Sequence, residues 1–320
     1  MLANAMLAVS ARHLSRVTPF DSTVADRYYS ACLEALIPSL NDLTVVTDDA
    51  TLAATSMLRL LEELEVSVTG SDQRQHLLGT QAIIRAQSRN VVSSDFQQAV
   101  YWSALRQEQY WSMISSTSLK MNLDWCAIDR SLELADDSTW SLRALAHCCE
   151  VLQYESSSTP ESRNKYTQLL SYNSSWQVLR PASFDPYYVG GVQDSDEPGF
   201  PDLRYHASWH LGGHLYILLA QLLLTVLDPS TPRIGLTHKR AVREIDSDVR
   251  MILRKMIGTA LSNEGMFAGM LIVGFGVTLC GDRFTNREEQ RQVIEFLERI
   301  ETRYGWPNEA VREQLTEVWG

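Results

Sequence analysis

The chain has 320 residues, with 28 basic against 39 acidic side chains and a net charge of −11. At 45% hydrophobic and 21% charged it carries enough apolar surface to fold, which excludes disorder along most of its length. The acidic balance argues against the segment as a whole gripping nucleic acid, because phosphate contacts need a basic face.

Helical periodicity dominates from the first residue. The opening stretch MLANAMLAVSARHLSRV reads as an amphipathic helix with Leu2, Ala5, Met6 and Val9 inward, rather than as a targeting segment. A second helix is predicted over Val24 to Leu40 with Thr23 as its N-cap. A third opens at Asp48 or Asp49 and runs through Leu52, Met57, Leu60, Leu61 and Leu64. Gln73 to Arg89 follows, and then a helix capped by Ser94 and Asp95 that carries Phe96, Val100, Trp102, Leu105 and Gln109. Ser138 to Tyr154 and Glu161 to Leu179 are next, separated by the polar loop Ser156 to Pro160. Later helices are predicted near Tyr205 to Leu227, Thr237 to Ser262, Met266 to Cys280, Asn286 to Tyr304 and Asn308 to Val318.

No strand alternation or hairpin signal stands out, so the fold class is all-α: packed antiparallel helices with no sheet. The stretch Pro181 to Pro201 carries four prolines and the acids Asp194, Asp196 and Glu197. It divides the chain into helical halves at 1–180 and 202–320, joined by a Pro-rich acidic loop at 181–201, within one continuous domain. The apolar runs Leu215 to Leu227 and Met266 to Cys280 are shorter than the ~18–20 residues that cross hydrocarbon, so they read as central core helices and no membrane contact is expected.

Five cysteines, Cys32, Cys126, Cys148, Cys149 and Cys280, form no C-x2-C pair. They read as reduced thiols of an intracellular protein and not as a zinc module. His206, His210 and His214 recur every four residues on one predicted helix, but without the H-E-x-x-H pattern, and the third drifts away from the first. No metal site is assigned to them. Gly212-Gly213 within that helix costs ~1 kcal/mol per glycine against alanine and points to close approach of another helix. His147-Cys148-Cys149 reads as buried small residues, because neighbours on a helix point ~100° apart and His147 cannot serve either thiol. Glu62-Glu63 reads as a solvated helix face. Nothing assembles into an active site, and the chain is expected not to be an enzyme. Arg106, among Tyr101, Trp102, Tyr110 and Trp111, suits a helix anchor or a polar contact. With Trp209, His210 and His214 it makes up the candidate effector pocket.

Several stretches resemble the regulatory domain of fungal binuclear zinc-cluster transcription factors. They include Asn4 to Arg16 (NAMLAVSARHLSR), Tyr29 to Leu33, Leu52 to Leu64, His76 to Thr80 and Ala104 to Glu108. Trp176 to Leu179 with Pro181 to Pro186, Gly199 to Pro201, Ser208 to His210, Leu219 to Pro229, Cys280-Gly281 and Tyr304 to Pro307 continue the series. The resemblance spans nearly the whole chain in order. It implies an all-helical regulatory region of a nuclear transcription factor acting on RNA polymerase II transcription, for instance of a metabolic gene set. It supplies no catalytic residues. The family's zinc cluster lies upstream of this region, so zinc and promoter DNA are expected only through such an upstream domain. Within this chain the expected partners are transcription-machinery proteins, a homodimer partner or a small-metabolite effector. The competing expectation is a partner-binding scaffold or corepressor that makes no DNA contact.

Overall fold

The computed structural model describes residues 1–39, 48–65, 95–114, 119, 123, 129–154, 159–191, 199–232 and 234–320. The predicted helix 73–89, the motif His76 to Thr80, Cys126 and the acids Asp194, Asp196 and Glu197 lie outside the described residues, as does most of the loop 156–160. Eleven α-helices occur among the described residues. They fall into two compact units: Met1–Ala127 with Glu298–Gln314, and Ile128–Leu297 with Leu315–Gly320.

The first unit begins with α1 (Leu2–Val17), α2 (Thr23–Ser39) and α3 (Asp49–Glu65). The buried face of α1 is its alanine stripe, Ala5, Ala8 and Ala11, while Met6 is 53% exposed. The inward placement expected for Met6 is therefore corrected. Small side chains let α1 lie close to both α2 and α3, around Ala5, Cys32, Leu36, Ala54 and Leu58, with Leu2 and Met57 against them. Asp21, and not Thr23, caps α2: its carboxylate accepts from the Thr23 amide and hydroxyl at 2.9 Å each. Asp48 accepts from the Ala50 amide at 3.1 Å and opens α3, as the sequence suggests. Across α3 and α4 (Asp95–Ile114) burial extends to charged residues, as described below.

The second unit is built around α7 (Ser208–Val226). Of the predicted span Tyr205 to Leu227, the first residues are not helical, because Asp202–Arg204 forms a strand that leads into the helix. Two three-residue strands, β1 (Tyr188–Gly190) and β2 (Asp202–Arg204), pair antiparallel with Val189 opposite Leu203. This ribbon corrects the expectation of no sheet, although the fold remains all-α in class. Around α7 pack α5 (Asp137–Leu152), α6 (Pro160–Leu179), α8 (Leu236–Ser262) and α9 (Phe267–Cys280). At 19 residues α7 is long and apolar enough to cross a membrane. Its apolar face is instead covered by these four helices, which makes it a core helix.

The helix ends follow their caps. Asp136 accepts from the Thr139 amide at 2.7 Å to open α5, and Thr159 accepts from Ser162, with Pro160 at the first helical position of α6. Asn286 accepts from the amides of Glu288 and Glu289 ahead of α10 (Arg287–Tyr304), and α11 (Glu309–Trp319) completes the set.

The glycine pair marks the tightest contact of this core. A Cβ on Gly213 would lie 2.8 Å from a Phe184 ring carbon, 3.3 Å from the Ser141 Cα and 3.4 Å from Trp176. A Cβ on Gly212 would meet only the Ser141 hydroxyl, at 3.7 Å. The close approach read from the sequence therefore belongs to Gly213. Behind it, Trp176 donates its indole N–H to the Trp140 carbonyl at 3.1 Å, and its ring meets Trp140 and Phe184 edge-on.

Candidate functional site

Two polar constellations stand out, one in each unit. In the first unit, α3 and α4 bury charge together. Arg59 is wholly buried, donates to Glu62 at 2.7 Å and sits over the Trp111 ring with its guanidinium carbon 4.5 Å from the centroid. Arg106 donates to Glu63 at 3.2 Å. The solvated face expected at Glu62-Glu63 is corrected: Glu62 is 6% exposed and Glu63 is not exposed at all. The arginines that compensate these carboxylates lie at Arg59, on the same helix, and Arg106, on the next. Burial pushes the Glu63 carboxyl above the usual carboxylate range, and the charges of Arg106 and Arg59 pull against it. Among the described residues, one Glu63 oxygen and donors on Arg59 and Arg106 have no hydrogen-bond partner.

In the second unit, the three histidines of the i, i+4 series go to three different neighbours. His206 is exposed and its ring lies on Tyr187, with centroids 4.5 Å apart. His210 is buried, bonds Asp137 through Nε2 at 2.9 Å and meets the Phe184 ring edge-on. Asp137 also accepts from the Ser183 hydroxyl at 2.7 Å, so one carboxylate joins the start of α5, the turn after α6 and α7. These two bonds hold the Asp137 carboxyl below the usual range, His210 contributing most. The His214 ring lies tilted beside Tyr205 with centroids 5.3 Å apart, and its Nε2 is shielded from water and has no hydrogen-bond partner among the described residues. Trp209, between them in sequence, is 55% exposed. Arg106, the fourth residue of the predicted pocket, belongs to the first unit and is engaged by Glu63 there.

Around His214 lie groups that the sequence reading did not single out. Arg180 caps the end of α6 and forms an ion pair with Asp185 at 2.7 Å. Lys255 lies on α8, half-buried, and makes no hydrogen bond or ion pair with any described residue. Burial, and then the nearby charge of Arg180, lower the Lys255 ammonium below its ordinary value. His214 is driven well below the usual histidine value by burial first, and then by the charges of Lys255 and Arg180. It is therefore a neutral imidazole.

Asn263 fixes this corner. Its amide donates to the carbonyls of Leu203 at 2.6 Å and Thr259 at 2.7 Å, and its oxygen accepts from the Tyr205 amide at 3.0 Å. Gly258, one turn before it, leaves room for Pro201, whose backbone would collide with any Cβ there. Arg180 lies beside the quoted Pro181-to-Pro186 motif, which is a sequence signal of sorts. Lys255 carries none, because it reads as an ordinary cation on a charged helix.

The comparison with protein families covers the chain from end to end: the fungal specific transcription factor domain matches residues 1–320. The chain belongs to this family. No curated protein and no solved structure matches it. The transcription factor domain is not an enzyme family, and membership gives the chain a role in transcription regulation and implies a nuclear location. The four described cysteines assemble no zinc site. Cys32, Cys148, Cys149 and Cys280 are all buried, and no group of three or more histidine, cysteine or acidic side chains that could hold a metal occurs among the described residues. Burial pushes the Cys280 thiol up to about 11, so it stays protonated instead of acting as a thiolate ligand.

Proposed function

We propose that this chain is the regulatory part of a fungal nuclear transcription factor that acts on RNA polymerase II transcription of a metabolic gene set. Its output is set by a bound effector or protein partner, and promoter DNA and zinc are handled by a cluster outside these residues. The observation that supports this reading is the family match across residues 1–320. The helical architecture agrees with it, because packed helices can shift against one another when a ligand favours one arrangement.

On this reading the effector binds in the second unit, around His214, with His210 positioning α7 through Asp137 and Trp209 at the exposed start of the helix. Arg106 is left as a structural ion-pair residue of the first unit. Partners are transcription-machinery proteins or a second copy of the chain.

The test is a fusion of the full chain to a heterologous DNA-binding domain in a fungal reporter strain. Activation or repression of the reporter, altered by shifting the carbon or nitrogen source, is the expected result. A fusion that occupies its site, leaves transcription unchanged under every condition and co-purifies with a DNA-bound factor would favour the corepressor-type scaffold instead.

A further inference from the structure

α8 runs for 27 residues, but its buried positions begin only at Val249. From Leu236 to Asp248 no residue is buried, so the first half of the helix stands clear of the packing that holds the second. Leu236, Lys239, Arg240 and Arg243 recur there at i, i+3, i+4 and i+7, the spacing of one helical face, and all four are exposed. Leu236 is 96% exposed, and Ile234, just before the helix, is 86% exposed. A lone exposed apolar side chain is ordinary, but these two adjoin cations that the chain does not use. Among the described residues Lys239 and Arg243 have no hydrogen-bond or ion-pair partner, and Arg240 is held only by the exposed Glu244, at 2.8 Å. Between Asp228 and Glu244 the sequence holds four cations, Arg233, Lys239, Arg240 and Arg243, and no acid, within a chain whose net charge is −11.

We propose that this face of α8 docks an acidic peptide segment that carries apolar side chains, presented by a partner protein. The segment's carboxylates pair with Lys239 and Arg243, contacts that steer the encounter and set its register. Its apolar side chains cover Ile234 and Leu236, which gain by leaving water. Charge complementarity favours this occupant over a nucleic acid. A polyphosphate needs a basic surface that continues along its backbone, whereas the next turns of α8 carry the exposed acids Glu244 and Asp248, and the acidic chain as a whole repels a long polyanion. Phosphates also offer nothing to two apolar side chains. This assignment rests on the reading that transcription-machinery proteins are partners, and it names the chemistry of the segment they present.

The test titrates the full chain into a fluorescein-labelled peptide in which pairs of Asp and Glu alternate with single Leu and Phe, followed by fluorescence anisotropy. Saturable binding is expected, weakened both by replacing the acids with Asn and Gln and by replacing Leu and Phe with Ser. The double variant Lys239→Glu with Arg243→Glu is expected to weaken binding at least about tenfold, since two attractions become repulsions. Leu236→Ser, at an exposed position where folding is not at stake, provides an independent loss through the apolar contact. Lys165→Glu, an exposed cation on α6, makes the same kind of charge change elsewhere and should alter nothing. Absence of saturable binding, or equal binding by wild type and both α8 variants, overturns the surface. A short DNA duplex that binds in place of the peptide, and is lost in the double variant, overturns the choice of occupant. Peptide binding lost in the α8 variants while the reporter fusion responds unchanged keeps the surface but overturns its part in transcription. A reporter that is regulated normally when no peptide binds overturns the surface and keeps the regulatory reading.

Discussion

Gly212 and Gly213 are adjacent, share a helix and should respond to alanine with opposite signs. In a helix interior alanine is favoured over glycine by ~1 kcal/mol. At Gly212 the new methyl meets only a hydroxyl at ordinary van der Waals distance, so the propensity gain should survive. At Gly213 the methyl would press on a Phe184 ring carbon at 2.8 Å and on the Ser141 backbone. Phe184 cannot move aside easily, because it is fully buried with the Trp176 ring 5.4 Å and the His210 ring 5.0 Å away, centroid to centroid. Overpacking of this kind costs ~1–3 kcal/mol, and the rigidity of these neighbours places it near the top of that range. Less the propensity gain, Gly213→Ala should destabilise by about 2 kcal/mol while Gly212→Ala stabilises by about 1 kcal/mol. Urea unfolding of the full chain, followed by tryptophan fluorescence, measures both. In a thermal scan the second unit's transition should fall by roughly 4–8 °C in the first variant and rise by roughly 2–4 °C in the second. Shifts of the same sign, or a Gly213→Ala protein as stable as wild type, would refute the packing argument.

Three further outcomes follow from buried polar groups. His147 is 2% exposed and burial holds it down to about 4 from an ordinary 6.5, so the folded state refuses a proton that the unfolded chain accepts. Stability should therefore fall by roughly 3 kcal/mol as pH drops from about 6.5 to about 4, and urea titrations of His147→Leu should show this slope largely removed. Glu63 has the reverse sign. Its carboxyl is raised by burial, so its contribution is most favourable below the ordinary carboxyl value and is lost as pH rises through the folded one. Glu63→Gln should flatten that decline in unfolding measured upward from about pH 4.5. Asn263→Ala removes three hydrogen bonds and leaves the Tyr205 amide and the Leu203 carbonyl without their partner, a loss of roughly 2–4 kcal/mol by urea unfolding.

The helices were legible because their signals are local: periodic apolar positions, and the acid Asp48 at the start of α3. The ribbon was not, because three residues give no alternation to detect and Val189 finds Leu203 only across an intervening loop. The inward face of α1 was misjudged at Met6 since hydrophobicity favours the largest side chain, whereas close helix packing favours the alanines. Burial of Glu63 was invisible because its partner, Arg106, stands 43 positions away on another helix. The histidine spacing identified the right stretch of α7 but not the chemistry of each ring. That is decided by Tyr187, Asp137 and Tyr205, none of which the spacing can name. Lys255 draws its interest from what surrounds it, which no local pattern encodes.

The way the chain is divided carries a consequence for its biosynthesis. The first unit includes Glu298–Gln314 and the second includes Leu315–Gly320, so neither is complete until the final helices have left the ribosome. Within the first unit, the Tyr110 ring meets Trp306 at 5.5 Å, and His13 bonds the Tyr304 carbonyl across 291 positions. Contacts of such sequence separation close late, and folding rates fall as they accumulate. During translation the amino-terminal helices therefore expose the surfaces that residues 298–314 contact until those residues are made, a state of the kind chaperones protect. A nonsense mutation anywhere before Glu298 removes an integral piece of both units, so even a late premature stop should act as a loss of the whole protein.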